Sequence, residues 1–322
     1  MPKLLITLGD ASGVGPEVIV KLLADHQFRG QHSIDHEIIG EQWILEETAH
    51  RLDLDISFCP ANTPKTDCIK VHSGNILKPG DYLTGQISKA CGNAAYQYFV
   101  SAIQRCMQHE ADGIVSAPLC KEAMNKAGHH FIGHTEILER LTGATVVMTL
   151  IHPKLVVSHV TDHIPLRQAL DAITPRRLKD VTRLTFNALK ARGIASPKIA
   201  FAGINPHAGE NGLLGHEENN ILIPVIQSLV KEGMNILGPY PADTVFYNGM
   251  RGDFDGIIAM YHDQGFGPMK TLDLAHGVNC TLGIPFIRTS PDHGTAFDIA
   301  GSGNADGTSM LEAWKLAIQL LS

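Results

Sequence analysis

The chain has 322 residues, of which 44% are hydrophobic and 18% are charged, and its formal net charge is −7. This is an ordinary globular composition, long enough for one large α/β unit or two domains. No long basic run favours a nucleic acid or an anionic membrane surface as partner. No uncharged apolar run approaches the roughly 20 residues that a membrane span needs.

The cysteines and the N-terminal segment indicate the cellular compartment of the protein. Six cysteines are present and none forms a CxxC pair, which excludes zinc-ribbon and thioredoxin-like sites and predicts reduced, mostly buried thiols. The N-terminal MPKLLITLGD is interrupted too early, at Gly9 and Asp10, to be a signal peptide. We therefore expect a cytoplasmic protein.

Apolar runs alternate with amphipathic helical patterns along most of the chain. Helices are predicted from Pro16 onward, over 87–109, over 174–193 with Thr174 as cap, and over 308–321. Strand–helix alternation predicts an α/β fold with a largely parallel sheet and helices on both faces. The predicted strands are KLLITLG, HEIIGE, DGIVSAP, TVVMTLIH, KLVVSHVTD, KIAFAGINP and DGIIAMYH.

Several of these strands run into small, polar or histidine-bearing loops. In open parallel sheets, ligands bind beyond the carboxyl ends of the strands, so these loops are expected to line one site. YHDQGFGPMK is interpreted as one such polar loop, following the last predicted strand. The five loops are LGDASG, SAPLCK, VTDHIPL, AGINPHAGE and MYHDQG.

Three histidines follow predicted strands: His163, His207 and His262. Three imidazoles from three loops could bind a divalent metal and leave positions for substrate and water. The spacing carries no local metal motif, so each could equally be a surface or capping histidine. Asp162 and Asp263 adjoin two of them and could fix a tautomer or simply be solvated turn residues.

Cations and hydrogen-bond donors suited to an anion occur at four positions. In GHTE, Thr135 could cap a helix whose first N–H groups attract phosphate or carboxylate. Arg288 interrupts an apolar run and needs an anionic partner if buried, whether a ligand or a structural carboxylate. Lys270 and Asn279 could contact the same ligand, although Asn279 could also make a turn.

The glycine-rich segments do not complete a dinucleotide fingerprint. In GDASGVGPE, Val18 takes the place of the third small residue, and in GSGNADG that place holds Asp306. DHGTAFDIAGSGNADG, residues 292–307, joins a polar turn, a short helical stretch and a glycine-rich loop. It is interpreted as a long ligand-binding segment.

NPHAGE, YHDQG, GHTE and LGIPFIRTSPDHGTAFDIAG together closely resemble the 4-hydroxythreonine-4-phosphate dehydrogenase family. The likeness runs from the first strand to the final helix. It implies a fold like that of isocitrate and isopropylmalate dehydrogenases, with two α/β/α subdomains and an active-site cleft between them. Residues 1–135 with about 290–322 would form the nucleotide side, and about 136–289 the metal, substrate and dimer side.

The resemblance also implies roles for individual residues. Lys270 and Asp243 would be catalytic. One divalent ion (Zn, Co, Ni, Mn or Mg) would be held by His163, His207 and His262. Substrate would contact His134, Thr135, Lys270, Asn279 and Arg288, and NAD would contact Asp292, His293, Gly294, Thr295 and Asp298.

The implied reaction is NAD-dependent oxidation of a 4-phosphorylated 3-hydroxy acid with loss of CO2, in a homodimer with shared active sites. The first loop is commonly GDPAGIGPE in the family and is GDASGVGPE here. One family branch acts on 4-phosphohydroxy-L-threonine, and another, alike in these motifs, on 4-phospho-D-threonate or 4-phospho-D-erythronate. Two other classes stay open: a metal-dependent hydrolase of phosphorylated acids and a non-catalytic sugar-phosphate-binding protein.

Overall fold

The computed structural model describes residues 1–64, 67–273 and 275–321. The chain folds into two compact units. The first is built from two separate stretches, Met1–Ala144 and Ile284–Ser322, and the second is Thr145–Gly283.

The first unit carries a parallel sheet. Its strand order is β3-β4-β2-β1-β5-β12, and each neighbouring pair within it is parallel. The strands are β1 Lys3–Thr7, β2 Asp35–Gly40, β3 Phe58–Pro60, β4 Ile69–Ser73, β5 Gly113–Ser116 and β12 Ile287–Pro291. The helices are α1 Gly15–Ala24, α2 His26–Arg29, α3 Gln42–Arg51, α4 Lys89–Met107, α5 Lys121–Lys126, α6 His134–Thr142 and α12 Thr308–Leu321.

The second unit carries a mixed sheet of strand order β11-β6-β7-β10-β8-β9. β6 pairs antiparallel with both β11 and β7, and the remaining neighbours are parallel. The strands are β6 Val147–His152, β7 Leu155–His159, β8 Lys198–Ala202, β9 Asn235–Tyr240, β10 Gly256–Ala259 and β11 Val278–Leu282. The helices are α7 Leu166–Ala172, α8 Pro175–Ala191, α9 Ile223–Lys231, α10 Ala242–Met250 and α11 His262–Leu272.

Local sequence explains the ends of the long helices. The side chain of Thr174 accepts a hydrogen bond from the backbone N–H of Arg177 and Pro175 opens α8, as predicted. Ser88 caps α4 by accepting from the backbone N–H of Cys91. No helix of the described chain combines the length and apolar character that crossing a membrane requires.

The second unit has a buried apolar core between its sheet and two of its helices. The apolar residues of β6, β7, β8 and β10 pack against α10 and α11. At their carboxyl ends, β7, β8 and β10 lead into the segments of His163, His207 and His262, respectively. The members of the buried cluster are Met148, Leu150, Leu155, Val157, Ala200, Ala202, Val245, Phe246, Phe254, Ile257, Ala259, Phe266 and Met269.

One cysteine prediction is wrong. Cys59 and Cys68 form a disulfide, with Cα atoms 5.9 Å apart, within the usual range for such a bond. They are close because β3 contains Cys59 and the neighbouring strand β4 begins directly after Cys68. Cys91, Cys106, Cys120 and Cys280 are buried thiols outside that disulfide, as predicted.

His36, on β2, is a neutral histidine of the first unit. Its Nε2 accepts a hydrogen bond of 2.9 Å from Trp314 Nε1. The ring also packs on Phe28, with centroids 4.7 Å apart. Burial lowers the pKa of His36 to about 4, because the charged imidazolium loses hydration there.

This shift makes stability depend on pH. Below pH 6.5 the unfolded chain binds a proton on His36 that the folded chain does not take up until about pH 4. The contribution of His36 to the free energy of unfolding should therefore be constant above that window and fall as pH drops through it, by up to about 1.4 kcal/mol per pH unit. Urea unfolding across the window checks this, with His36→Gln as the variant that keeps an acceptor for Trp314. An unchanged pH slope in His36→Gln would contradict it.

Candidate active site

Helix α11 places three side chains of the candidate site on one face. His262, Phe266 and Lys270 are four residues apart, a spacing that aligns side chains along a helix. The rings of His262 and Phe266 stack with centroids 4.0 Å apart and planes 9° apart. Lys270 Nζ lies 5.6 Å from the centroid of the same Phe266 ring. The prediction of a polar loop here is therefore wrong, since the stretch is helical from His262 onward.

A second imidazole approaches this face from the segment after β7. The ring centroids of His163 and His262 are 5.2 Å apart. His262 Nδ1 lies 2.7 Å from Asp263 Oδ1, so the Nδ1 proton is held by a carboxylate and the lone pair is left on Nε2. That pairing is common among metal-binding histidines. Asp162 instead accepts a hydrogen bond from the backbone N–H of His163.

Sequence reasoning missed a third imidazole, His159, at the end of β7. It is 1% exposed, and its ring centroid lies 5.0 Å from that of Phe266 and 6.4 Å from that of His262. Nδ1 lies 3.2 Å from the carbonyl oxygen of Met148, while Nε2 is buried with no hydrogen-bond partner among the described residues. Burial lowers the pKa of His159 to about 4, so the ring is neutral. Its place at the end of a buried strand is the signal that could have found it.

His207 begins a strained backbone turn. Residues 207–211 all adopt left-handed conformations, with φ between +42° and +79°. Four of them are not glycine, and each such residue costs about 1–2 kcal/mol relative to the right-handed form. The loop predicted around NPHAGE is thus a short left-handed turn that presents an exposed His207.

The three predicted metal ligands do not form one group within this chain. Across residues 1–64, 67–273 and 275–321, no three His, Cys, Asp or Glu side chains lie close enough together to hold a metal ion. His163 and His262 are brought into ring contact, and His207 does not complete a three-ligand cluster with them.

Gln264 links the segment of His262 with that of His207. It is 7% exposed. Its Oε1 accepts from the backbone N–H of Met260 at 2.6 Å, and its Nε2 donates to the carbonyl oxygen of Gly203 at 2.6 Å. One buried amide therefore ties the first turn of α11 to the end of β8, four residues before His207.

The first unit gathers a buried cation and a neutral imidazole. Arg288 is 2% exposed and its Nη2 donates to Ser116 Oγ at 2.9 Å. The Phe99 ring lies between the two groups: its centroid is 5.9 Å from the Arg288 guanidinium carbon and 4.5 Å from the His134 ring, which meets it edge-on. His134 Nε2 is buried with no hydrogen-bond partner among the described residues.

The charge state of His134 follows from this setting. Burial first, and then the nearby charges of Arg288 and Lys121, hold the pKa of His134 well below its usual value. A neutral imidazole can donate a hydrogen bond to an anionic ligand without adding charge. His134 opens α6, and Gly133 rather than Thr135 is its N-cap, so the predicted capping role of Thr135 is wrong. No described side chain caps α6, which leaves its first N–H groups suited to an anion.

The predicted cofactor segment packs on the first glycine-rich loop. The carbonyl oxygen of Thr295 accepts from the backbone N–H of Val14 at 2.9 Å. A Cβ at Gly13 would come within 2.8 Å of the Thr295 Cβ, so this contact requires glycine. Residues 292–307 form turns and irregular chain, not the short helix predicted for part of them. Asp292, His293, Gly294 and Asp298 lie along the same segment, with Gly294 and Asp298 exposed.

The remaining predicted residues lie in the second unit. Asp243 is exposed in the first turn of α10. Asn279 is half-buried on β11, opposite Leu150 of β6. The second unit therefore contains Lys270, Asn279, Asp243 and the three histidines, and the first contains His134, Thr135 and Arg288.

The fold defines the class of protein. An isocitrate dehydrogenase from Methylococcus capsulatus superposes with a TM-score of 0.50 over 100% of this chain and 86% of its own, at 13% sequence identity. At that identity the likeness concerns the fold alone. The predicted isocitrate dehydrogenase-like α/β class is confirmed.

The chain belongs to the family described as pyridoxal phosphate biosynthetic protein PdxA, whose model matches residues 33–317. It is 45% identical to a D-threonate 4-phosphate dehydrogenase of Cupriavidus necator over 99% of this chain and 97% of the relative. It is 41% identical to a 4-hydroxythreonine-4-phosphate dehydrogenase of Beijerinckia indica, over 98% and 94%. The crystal structure of a 4-hydroxythreonine-4-phosphate dehydrogenase from Klebsiella pneumoniae superposes with a TM-score of 0.86 at 37% identity, covering 100% of both chains. The predicted family is confirmed.

Proposed function

We propose that this chain is an NAD-dependent dehydrogenase that oxidises the C3 hydroxyl of 4-phospho-D-threonate and releases its C1 carboxylate as CO2. Bound NAD would supply the acceptor for a hydride from C3, and the hydroxyl proton would pass to a base of the protein. The bond between C1 and C2 then breaks, and protonation at C2 yields a three-carbon hydroxyketone phosphate. The observation that carries the proposal is that His262 contacts the His163 ring and shares the Phe266 ring with Lys270, in a chain whose relatives are named as dehydrogenases of phosphorylated hydroxy acids.

The choice of substrate follows the relatives. The Cupriavidus necator relative is named for D-threonate 4-phosphate, which carries a hydroxyl at C2. The second candidate is 4-phosphohydroxy-L-threonine, with an amine at C2, and it is supported by the name of the Beijerinckia indica relative.

His163, His207 and His262 would hold one divalent ion, such as Zn, Co, Ni, Mn or Mg. Two of the three, His262 and His163, fit a metal, because the Asp263 carboxylate leaves the Nε2 lone pair of His262 available and the His163 ring lies in contact with the His262 ring. A bound divalent cation lowers the pKa of a coordinated hydroxyl and stabilises negative charge on a carbonyl oxygen.

The chain's own residues would bind the two anionic ends of the substrate and move its proton. Arg288, the neutral His134 and the N-terminus of α6 at Thr135 suit a phosphate or carboxylate. Lys270 and Asn279 would also contact the substrate. Lys270 or Asp243 would carry the proton.

NAD would lie on the segment that includes Asp292, His293, Gly294, Thr295 and Asp298. Support comes from the packing of Thr295 against Gly13, which joins two loops at the start of α1.

The active protein would be a homodimer with shared sites. Large apolar side chains are exposed beside two of the proposed ligands: Ile164 and Leu166 follow His163, and Leu213 and Leu214 follow His207. A second copy covering them would bury apolar surface and bring a further imidazole to the His163–His262 pair.

Side-by-side assays of NADH formation test the substrate. With metal and NAD supplied, 4-phospho-D-threonate should give the highest kcat/KM, ahead of 4-phospho-D-erythronate and 4-phosphohydroxy-L-threonine. A higher kcat/KM with 4-phosphohydroxy-L-threonine would identify that compound as the substrate instead. Phosphate release without NADH would identify a hydrolase instead.

A further inference from the structure

The turn that carries His207 needs an external support. Its left-handed conformation persists over residues 207–211, with His207 itself at φ +52° and ψ +28°. Consecutive left-handed residues are stable only where contacts with surrounding groups hold the backbone in that conformation.

Glu218 lies directly behind the turn. It is 2% exposed, and its Oε1 accepts hydrogen bonds from the backbone N–H groups of Ile204 at 2.8 Å and Asn205 at 2.7 Å. Its Oε2 accepts from Asn205 Nδ2 at 2.9 Å. All three donors belong to the two residues that lead into Pro206 and His207, so the buried carboxylate fixes the entry to the turn.

Two glycines let the backbone pass close to this carboxylate and to its partner Asn205. A Cβ at Gly209 would lie 2.7 Å from Glu218 Oε2, and Gly209 has φ +79°. A Cβ at Gly215 would lie 2.4 Å from Asn205 Nδ2, and Gly215 has φ +138°. Both positions require glycine for the close approach as well as for the backbone angle.

The element that supplies Glu218 is itself unusual. Glu218 begins a π-helical turn, Glu218–Leu222, which continues into α9. Such turns are rare and often occur at functional sites. Here the turn directs Glu218 inward, while its neighbour Glu217 stays exposed.

We propose that Glu218 is the positioning residue for His207: its buried carboxylate holds the left-handed turn in the one conformation that presents the imidazole to the metal. This inference rests on the proposed function for the role of His207. It goes beyond that function by assigning the control of metal affinity to a residue that does not bind metal.

The test compares Glu218→Gln with the matched control Glu217→Gln, both isosteric and adjacent. Glu217 Oε2 also accepts from Asn205 Nδ2, at 2.7 Å, so the control neutralises a carboxylate that contacts the same amide from the exposed side. Two quantities are measured on the full-length protein: amide hydrogen exchange over residues 204–212, and the affinity for Zn²⁺ by competition with a chromophoric chelator.

Glu218→Gln should raise exchange over residues 204–212 at least about 10-fold and weaken Zn²⁺ binding about 10- to 100-fold, as loss of supporting groups does at metal sites. Its melting temperature should stay close to that of the control, and Glu217→Gln should change neither quantity. Wild-type exchange in Glu218→Gln, or a loosened turn with unchanged Zn²⁺ affinity, would overturn the inference.

Two further arms keep the result interpretable. If Glu218→Gln does not fold, Asn205→Ala removes one of the three donors and should move both quantities in the same direction by less. If the wild-type protein binds no Zn²⁺ and forms no NADH, the proposed function fails, and the exchange measurement alone still decides whether Glu218 holds the turn.

Discussion

Replacing His207 with alanine is expected to abolish metal-dependent formation of NADH and to weaken metal binding by more than about 100-fold. Loss of a supporting group at a metal site already costs about 10- to 100-fold, and loss of a ligand should cost more. His207 is exposed, so the fold should survive, and circular dichroism with the melting temperature would show this. Metal content after dialysis and initial rates of NADH formation are the measurements.

A histidine in the same segment provides the control. His216 is exposed nine residues further on, and His216→Ala should keep wild-type metal content and rate. His207→Asn would separate ligand loss from backbone strain, because asparagine tolerates the left-handed conformation better than alanine. Full activity with metal retained in His207→Ala would remove the three-histidine site from the account.

Replacing Lys270 with methionine should lower kcat/KM about 100-fold or more, in line with the loss of a group that moves a proton or binds an anion. Lys270 is exposed on α11 with its ammonium above the Phe266 ring. Methionine keeps the unbranched stem of the side chain and removes the ammonium group. Steady-state kinetics with saturating NAD and metal would separate effects on KM from effects on kcat.

Arginine at the same position distinguishes the two roles. Lys270→Arg keeps the positive charge but cannot release its proton near neutral pH. We expect it to restore KM and to leave kcat low, as a proton carrier requires. Lys231→Met, an exposed lysine in the last turn of α9, should behave as wild type. A wild-type kcat/KM in Lys270→Met would contradict any role for Lys270 in substrate binding or proton transfer.

The regular elements could be predicted because local patterns determine them. The cap at Thr174, the proline at 175 and the amphipathic pattern define α8, and α12 spans the 308–321 that were predicted. Periodicity and capping chemistry act within a few residues, so one sequence is enough to find them.

Helix α11 could not be predicted because it contains strong helix-breaking residues. Gly265, Gly267 and Pro268 all lie inside it, and local propensity disfavours a helix there. The reason for Gly265 is tertiary: a Cβ at that position would lie 2.2 Å from His159 Nε2. The glycine that suggested a loop is the residue that lets the helix pack on a buried histidine.

Groups that act across long sequence separations were also missed. Glu218 and Gln264 each bond to backbone atoms of residues 203–205, and nothing local in the sequence marks either contact. The pairing of Cys59 with Cys68 likewise depends on the adjacency of β3 and β4. The histidines and Arg288 were identified from their loop contexts and from the family likeness, which required no knowledge of their partners.

In the proposed reaction, oxidation at C3 is coupled to loss of C1. Incubating the metal-loaded protein with NAD and 4-phospho-D-threonate labelled at C1, and counting NADH and labelled CO2 together, measures this coupling. We expect equal amounts of the two products and a three-carbon hydroxyketone phosphate that keeps its phosphate. NADH without CO2, CO2 without NADH, or release of inorganic phosphate in place of both would contradict it.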